Sequence, residues 1–309
     1  MKIALVSSAR INETSILSPI KFLKGASVEA IFSRNVSSAK EYALRHNIRF
    51  SGSYDQIKDF LGCFNTAYIS TPNSLHFDFS SKLLEMGKNV ICEKPLCFSP
   101  HEAKKLNDLS NKRQVGIMDA YHYKYHPHTR KQIDDIQKII PLMPDTSMDV
   151  FIGIPMPLDD DIRLNKSMGG GAFAHLGCYM TDLLTSLNIP LSNKEIQINK
   201  LKRYRGVDTY VEGCLNVSKV LEVNFVFTLE HCQLESYATL KNSYGERTFH
   251  SIFTPKSFSS SSMPDSLSSY YFQLDFAKKN LLKNTPPQNI NLEGVQLFSD
   301  ILRQIHCKP

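Results

Sequence analysis

A chain of 309 residues, 42% hydrophobic and 21% charged, with no Trp, 14 Gly and 15 Pro, holds enough apolar material for a large core and is neither collagen-like nor wholly disordered. Its 36 basic and 30 acidic residues leave a net charge of +6, scattered without a basic run that would argue for nucleic acid. No apolar stretch approaches the roughly 18 residues of a membrane span, the opening Met1–Val6 is too short for a signal peptide, and the seven Cys form no CxxC pair. A soluble, cytoplasmic protein is expected, with Cys63, Cys92, Cys97, Cys178, Cys214 and Cys232 mostly in apolar runs as buried free thiols.

Ile3–Val6 reads as a short buried strand closed by Ser7-Ser8, and Val28–Phe32 as a second ending at Ser33-Arg34. Asn35 can cap a helix through about His46. Ala67–Ser70 is a third strand stopped by Thr71-Pro72-Asn73, followed by an amphipathic helix over Leu75–Met86. Asn89–Cys92 continues the series, Ser99-Pro100 opens another helix, and Gln114–Met118 is one more strand. Strands alternating with helices at this spacing predict an α/β fold with a Rossmann-type doubly wound parallel sheet, whose ligands bind beyond the strands' carboxyl ends.

From about residue 145 the pattern becomes that of antiparallel strands: Met148–Ile154, Ile196–Lys202, Cys214–Val217, Leu221–Thr228, Ser236–Leu240 and Arg247–His250. Gly169-Gly170-Gly171 leads into an apolar helix to about Leu187, and Tyr271–Leu282 and Glu293–Ile305 are helical after a Ser-rich stretch, Ser257–Ser269, read as a loop. Two domains are expected: residues 1–118, dinucleotide-binding, and residues 119–309, an α+β domain with a large, mostly antiparallel open sheet for substrate binding and oligomerisation.

Cys92-Glu93-Lys94-Pro95-Leu96 is the most specific motif. A Lys at a strand's carboxyl end points its amine into the ligand crevice, where it can donate to a substrate oxygen and exchange a proton; taken alone it reads equally well as a surface Lys beside a Glu. Thr71-Pro72-Asn73-Ser74-Leu75-His76 precedes it and Gly169–Tyr179 follows. Together, and over nearly the whole chain, these motifs resemble the Gfo/Idh/MocA family of NAD(P)-dependent sugar oxidoreductases. Asp119–Pro127 and Asp161-Ile162-Arg163 point to the branch with glucose–fructose oxidoreductase, dihydrodiol dehydrogenase, xylose dehydrogenase and deoxysugar 3-ketoreductases.

The resemblance implies hydride transfer between a nicotinamide cofactor and a hydroxyl or carbonyl of a sugar, nucleotide sugar or similar cyclic polyol. Lys94 and Tyr179 would hydrogen-bond the reacting oxygen. Thr71, Pro72, Asn73 and Glu93 would line the cofactor with His76 nearby, and Tyr121 and Arg163 would contact substrate. A homodimer or homotetramer is the assembly it implies. The family's three phosphate-loop glycines align on Ser7-Ser8-Ala9-Arg10-Ile11-Asn12, and all three are replaced. About 20 residues on, where an NAD site carries a carboxylate, stand Ser33 and Arg34; a hydroxyl and a guanidinium suit a 2′-phosphate, so NADP is favoured, with NAD the other candidate. His175 stands at the family's usual Asp position, one helical turn before Tyr179, where it can polarise Tyr179 or touch substrate. The replaced glycines and His175 also admit a second class of function, a catalytically degenerate binding or scaffold subunit. His122, His126 and His128 lack the Cys or carboxylate that would complete a zinc set, so no metal site is assigned.

Overall fold

Short apolar runs with no room for a solvent face become parallel strands covered on both sides. In the computed structural model, which describes residues 1–140, 145–191, 194–217, 221–255, 268–283 and 290–308, six strands, the inner ones of this kind, form one sheet. They are β1 (Lys2–Val6), β2 (Ser27–Ser33), β3 (Phe50–Ser53), β4 (Thr66–Ile69), β5 (Asn89–Cys92) and β6 (Ile117–Asp119), all parallel, in the order β3-β2-β1-β4-β5-β6. Ile3–Val6 and every residue of β4 and β5 are buried. The strand order reverses between β1 and β4, which opens the ligand crevice at their carboxyl ends. Three helices connect strands: α1 (Val36–His46), capped by the Asn35 side chain accepting from Ser37 N; α2 (His76–Glu85); and α3 (Pro100–Arg113). The expected strand at Gln114–Met118 begins later, at Ile117, because Gln114 takes a left-handed φ of 53° after α3.

The later part contains α4 (Pro127–Ile139), α5 (Cys178–Ser186), α6 (Ser269–Asn280), α7 (Leu292–Cys307) and a second sheet. Its strands are β7 (Ser147–Gly153), β8 (Lys194–Tyr204), β9 (Val207–Val217), β10 (Leu221–Thr228), β11 (Glu235–Asn242) and β12 (Gly245–His250), ordered β12-β11-β7-β10-β9-β8. Among the described residues only its β7–β10 pair is parallel. Burial alternates along β7 and β9, the mark of a sheet with one covered face.

Two compact units result, and neither is one continuous stretch. The first holds Met1–Cys97, His101–Tyr125 and a later segment that includes α6; the second holds Phe98–Pro100, the rest of the middle of the chain and α7. Where the sequence suggests one cut after residue 118, α6 returns to the first unit, packing Leu274, Ala277 and Leu281 into the core of Ile3, Leu5 and Ile31. Cys92, Cys97 and Cys178 are buried thiols, whereas Cys232 is exposed, contrary to the apolar pattern around it. No helix of the described residues is long and apolar enough to cross a membrane. The Ser-rich stretch lies outside the described residues up to position 267.

Candidate active site

Beyond β1, Ser7 adopts φ 116°, a backbone conformation that L side chains rarely take and that favours glycine. Its N–H donates to Phe32 O (2.8 Å). Asn12, fully buried, donates from Nδ2 to Ser7 O (2.7 Å), and Ser70 Oγ donates to Asn12 Oδ1 (2.7 Å). Among the described residues the backbone N–H groups of Ser8, Ala9 and Arg10 reach no backbone carbonyl, and Ile11 O accepts from the Ser15 hydroxyl (2.8 Å). At the end of β2, Ser33 Oγ lies 3.4 Å from Ser8 Oγ, and Arg34 is exposed with no carboxylate paired to it among the described residues.

Tyr54, just after β3, is a residue sequence reasoning missed. Its ring meets Phe79 edge-on (centroids 4.6 Å apart); burial pushes its phenol up, offset by a hydrogen bond with Ser7 and by the Arg34 charge. The four-residue β3, interrupted by Gly52, gave no periodicity to mark that strand end.

The loops after β4 and β5 meet at His76. This ring is fully buried, with Nδ1 2.8 Å from Pro95 O and Nε2 2.8 Å from Thr71 O. Both nitrogens are thus taken by backbone oxygens, so the side chain ties the Thr71-Pro72-Asn73 loop to the Glu93-Lys94-Pro95 loop and presents no donor to a ligand. A neutral imidazole can donate to only one of these carbonyls, yet burial, partly offset by the two hydrogen bonds, lowers the His76 pKa from 6.5. A depressed folded value means that the unfolded chain binds more protons in acid. Stability is therefore expected to fall as pH drops below 6.5 toward that value, and thermal melts of His76→Gln should lose this part of the slope.

Thr71 is buried, and its Oγ1 is without a hydrogen-bond partner among the described residues; Asn73 is buried beside it in the same loop. Tyr68 OH, from the middle of β4, donates to Glu93 Oε1, and burial raises the Glu93 carboxyl against the opposing pull of Lys94. Burial pushes up the phenol of Tyr270, at the start of α6, and the nearby Glu93 charge adds to the effect. Lys94 is half-buried at the end of β5. Tyr121 is buried, edge-on to Tyr123 (6.5 Å) and under the Lys124 amine (5.1 Å). Nearby, His122 Nδ1 lies 2.8 Å from Ser269 Oγ, while the His126 side chain caps α4 by accepting from His128 N.

In the second unit, Asp161 grips Arg163 in a fork, Nε to Oδ1 at 2.8 Å and Nη2 to Oδ2 at 2.7 Å. Arg163 is thus already committed to a carboxylate through two of its donors, which narrows the substrate-contact role expected of it. The Arg163 hydrogen bond holds the Asp161 carboxyl below its usual range, and His175 adds to this, placing His175 near that carboxylate. Closeness dictates a glycine before His175: Gly171 has φ 124°, and a Cβ there would collide with Asp208 Oδ1. Phe173–Gly177 is a π-helical turn, which the α-helical spacing does not disclose. His175 is buried within it, and Tyr179 follows on α5 with its ring 5.8 Å from Phe253.

A carboxyl-end crevice with a small-residue loop, an exposed Arg and a strand-end Lys is the arrangement in which doubly wound parallel sheets hold ligands. The model of the oxidoreductase family with an NAD-binding Rossmann fold, Gfo/Idh/MocA, matches residues 1–121, the part of the chain that carries the parallel sheet. D-xylose 1-dehydrogenase (NADP(+)) 2 of Haloferax volcanii is 27% identical over 218 residues, 70% of this chain and 65% of that protein. Trans-1,2-dihydrobenzene-1,2-diol dehydrogenase of Xenopus tropicalis is 28% identical over 168 residues, 51% of this chain and 47% of its own. The matched stretches thus span about half to two thirds of these relatives. In fold, the chain is similar to a 3-ketoreductase from Actinomadura kijaniata crystallised with NADP and TDP-benzene, with TM-score 0.80 and 20% identity over 97% of this chain and 95% of that one.

Proposed function

We propose that the protein is an NADP-dependent oxidoreductase acting on a hydroxyl or carbonyl of a sugar, nucleotide sugar or similar cyclic polyol. The observation that carries this is the loop after β1: Ser7 keeps a glycine's conformation and three amides are left for an anion, beside a carboxylate-free Ser33-Arg34. The orphaned, buried Thr71 hydroxyl is a second sign that this crevice is shaped for a ligand. When bound, the nicotinamide supplies the hydride chemistry.

The chain's residues then divide the remaining work. Ser7, Ala9, Arg10 and Ile11 form the loop for the pyrophosphate, and Ser33 and Arg34 take the 2′-phosphate. Thr71, Pro72, Asn73 and Glu93 line the cofactor, held in register by His76 and Tyr68. Lys94 moves the proton at the reacting oxygen, with Tyr179 as the partner that the family resemblance implies; His175, beside Asp161, tunes Tyr179 or touches substrate, and Tyr121 and Arg163 contact the sugar. Relatives support the substrate class: one is named for D-xylose and NADP(+), and the Actinomadura kijaniata relative, 25% identical over 231 residues, is named a 3-reductase of a dTDP-linked dideoxy keto sugar. Residues 1–118 would serve the dinucleotide and residues 119–309 the substrate and subunit contacts. A homodimer or homotetramer in the cytosol fits the seven free thiols and the partly exposed, stacked Phe151 and Tyr237 rings, which alternate with buried Val150 and Ile152.

The rival reading, a subunit that has lost catalysis, rests on the replaced glycines and His175, but the retained loop conformation removes half of that basis. Turnover of NADPH or NADP(+) across a panel of pyranoses and nucleotide-linked keto sugars decides between them. Activity that falls about a hundredfold in Tyr179→Phe is expected; no turnover with any of them, despite tight cofactor binding, would favour the degenerate subunit.

A further inference from the structure

The three fingerprint positions do not fail in the same way. Ala9 is small, and Ser7 holds the glycine conformation, but Asn12 places a large polar side chain where a glycine's absence of one is normally used for close packing. That side chain is fully buried and occupied at both ends of its carboxamide: Nδ2 donates to Ser7 O (2.7 Å), and Oδ1 accepts from Ser70 Oγ (2.7 Å). Ser70, buried at the end of β4, in turn donates its N–H to Val6 O (3.1 Å), and Asn12 N donates to Ala9 O (3.1 Å). A closed circuit of hydrogen bonds therefore joins the end of β1, the loop and the end of β4, passing through one residue. A serine held at φ 116° is strained, and such a conformation persists only where its surroundings over-determine it. The Asn12 bond to Ser7 O holds the carbonyl of that residue, while Tyr54 hydrogen-bonds its side chain.

We infer that Asn12 is a positioning residue for the cofactor's phosphates: its carboxamide clamps the Ser7 carbonyl to the Ser70 hydroxyl, fixing the backbone turn that leaves the Ser8, Ala9 and Arg10 amides open to an anion. A side chain here supplies what glycine supplies elsewhere through conformational freedom. The inference rests on the proposed dinucleotide site, and its consequence is specific. If the brace exists to hold a strained serine, a glycine at position 7 should make it dispensable.

The test is a set of variants titrated with NADPH, with amide hydrogen exchange read on the cofactor-free proteins. Asn12→Ala is expected to weaken NADPH binding about tenfold, with the kinetic loss falling on KM rather than kcat, and adding Ser7→Gly should recover most of it. Ser70→Ala, which cuts the brace from its far end, should give a smaller loss of the same kind and serves if Asn12→Ala does not fold. Unchanged affinity in both single variants, or a loss that Ser7→Gly does not repair, would overturn the inference. Should the wild type itself bind no NADPH, the proposed function fails, and the brace is judged on exchange alone. The Ser7 and Ser70 amides should then exchange about tenfold faster in Asn12→Ala than in the wild type, and equal rates would overturn it.

Discussion

Lys94→Met is expected to lower kcat by about three orders of magnitude while leaving NADPH affinity within about threefold of the wild type. Methionine keeps the length and the apolar stem of the lysine but can neither donate to the reacting oxygen nor exchange a proton. The position is set by the backbone: Glu93 N donates to Ile69 O (2.9 Å), extending the β4–β5 pairing to the residue before Lys94. It is set again by Tyr68 holding the Glu93 carboxylate and by His76 holding the Pro95 carbonyl. Burial raises the Glu93 carboxyl and the Lys94 charge opposes it, so removing that charge should also let Glu93 rise further. Steady-state kinetics with circular dichroism as a fold control checks this; a variant that keeps wild-type kcat would move proton transfer to another residue.

Arg34→Asp is expected to reverse the coenzyme preference, weakening NADPH by about a hundredfold and tightening NADH. The guanidinium is exposed at the end of β2 with no carboxylate paired to it among the described residues, so its charge is available to a 2′-phosphate. An aspartate there would instead repel that phosphate and accept a hydrogen bond from a ribose 2′-hydroxyl. An unchanged NADPH to NADH affinity ratio would remove Arg34 from the cofactor site. Because the contact lies at the surface, the wild-type preference for NADPH should also shrink as salt is raised.

The inner strands of the first sheet were legible because each is an apolar run stopped by Ser, Thr or Pro, as at Val6-Ser7 and Ile69-Ser70-Thr71. What stayed hidden has three physical sources. Strand β3 is four residues long and holds a glycine, so it leaves no period to detect, and Tyr54 at its end was missed with it. Helix α6 shows an amphipathic face but not which sheet that face covers, since burial against Ile3 or against the second sheet calls for the same leucines. Side-chain commitments are the third source. His76, Arg163 and Asn12 are all named from the sequence, but only coordinates show that His76 holds two carbonyls, that Arg163 is forked onto Asp161, and that the Asn12 side chain bonds Ser7 O and Ser70 Oγ. The same holds for Ser7: its φ is invisible in the sequence and shows a serine keeping a turn that favours glycine.

The central claim is that this glycine-free loop binds NADP(H), and fluorescence titration of the purified protein with NADPH tests it most directly. Saturable binding in the micromolar range, weaker for NADH and competed by NADP(+), is the result expected; no change in NADPH fluorescence up to millimolar concentration would contradict it.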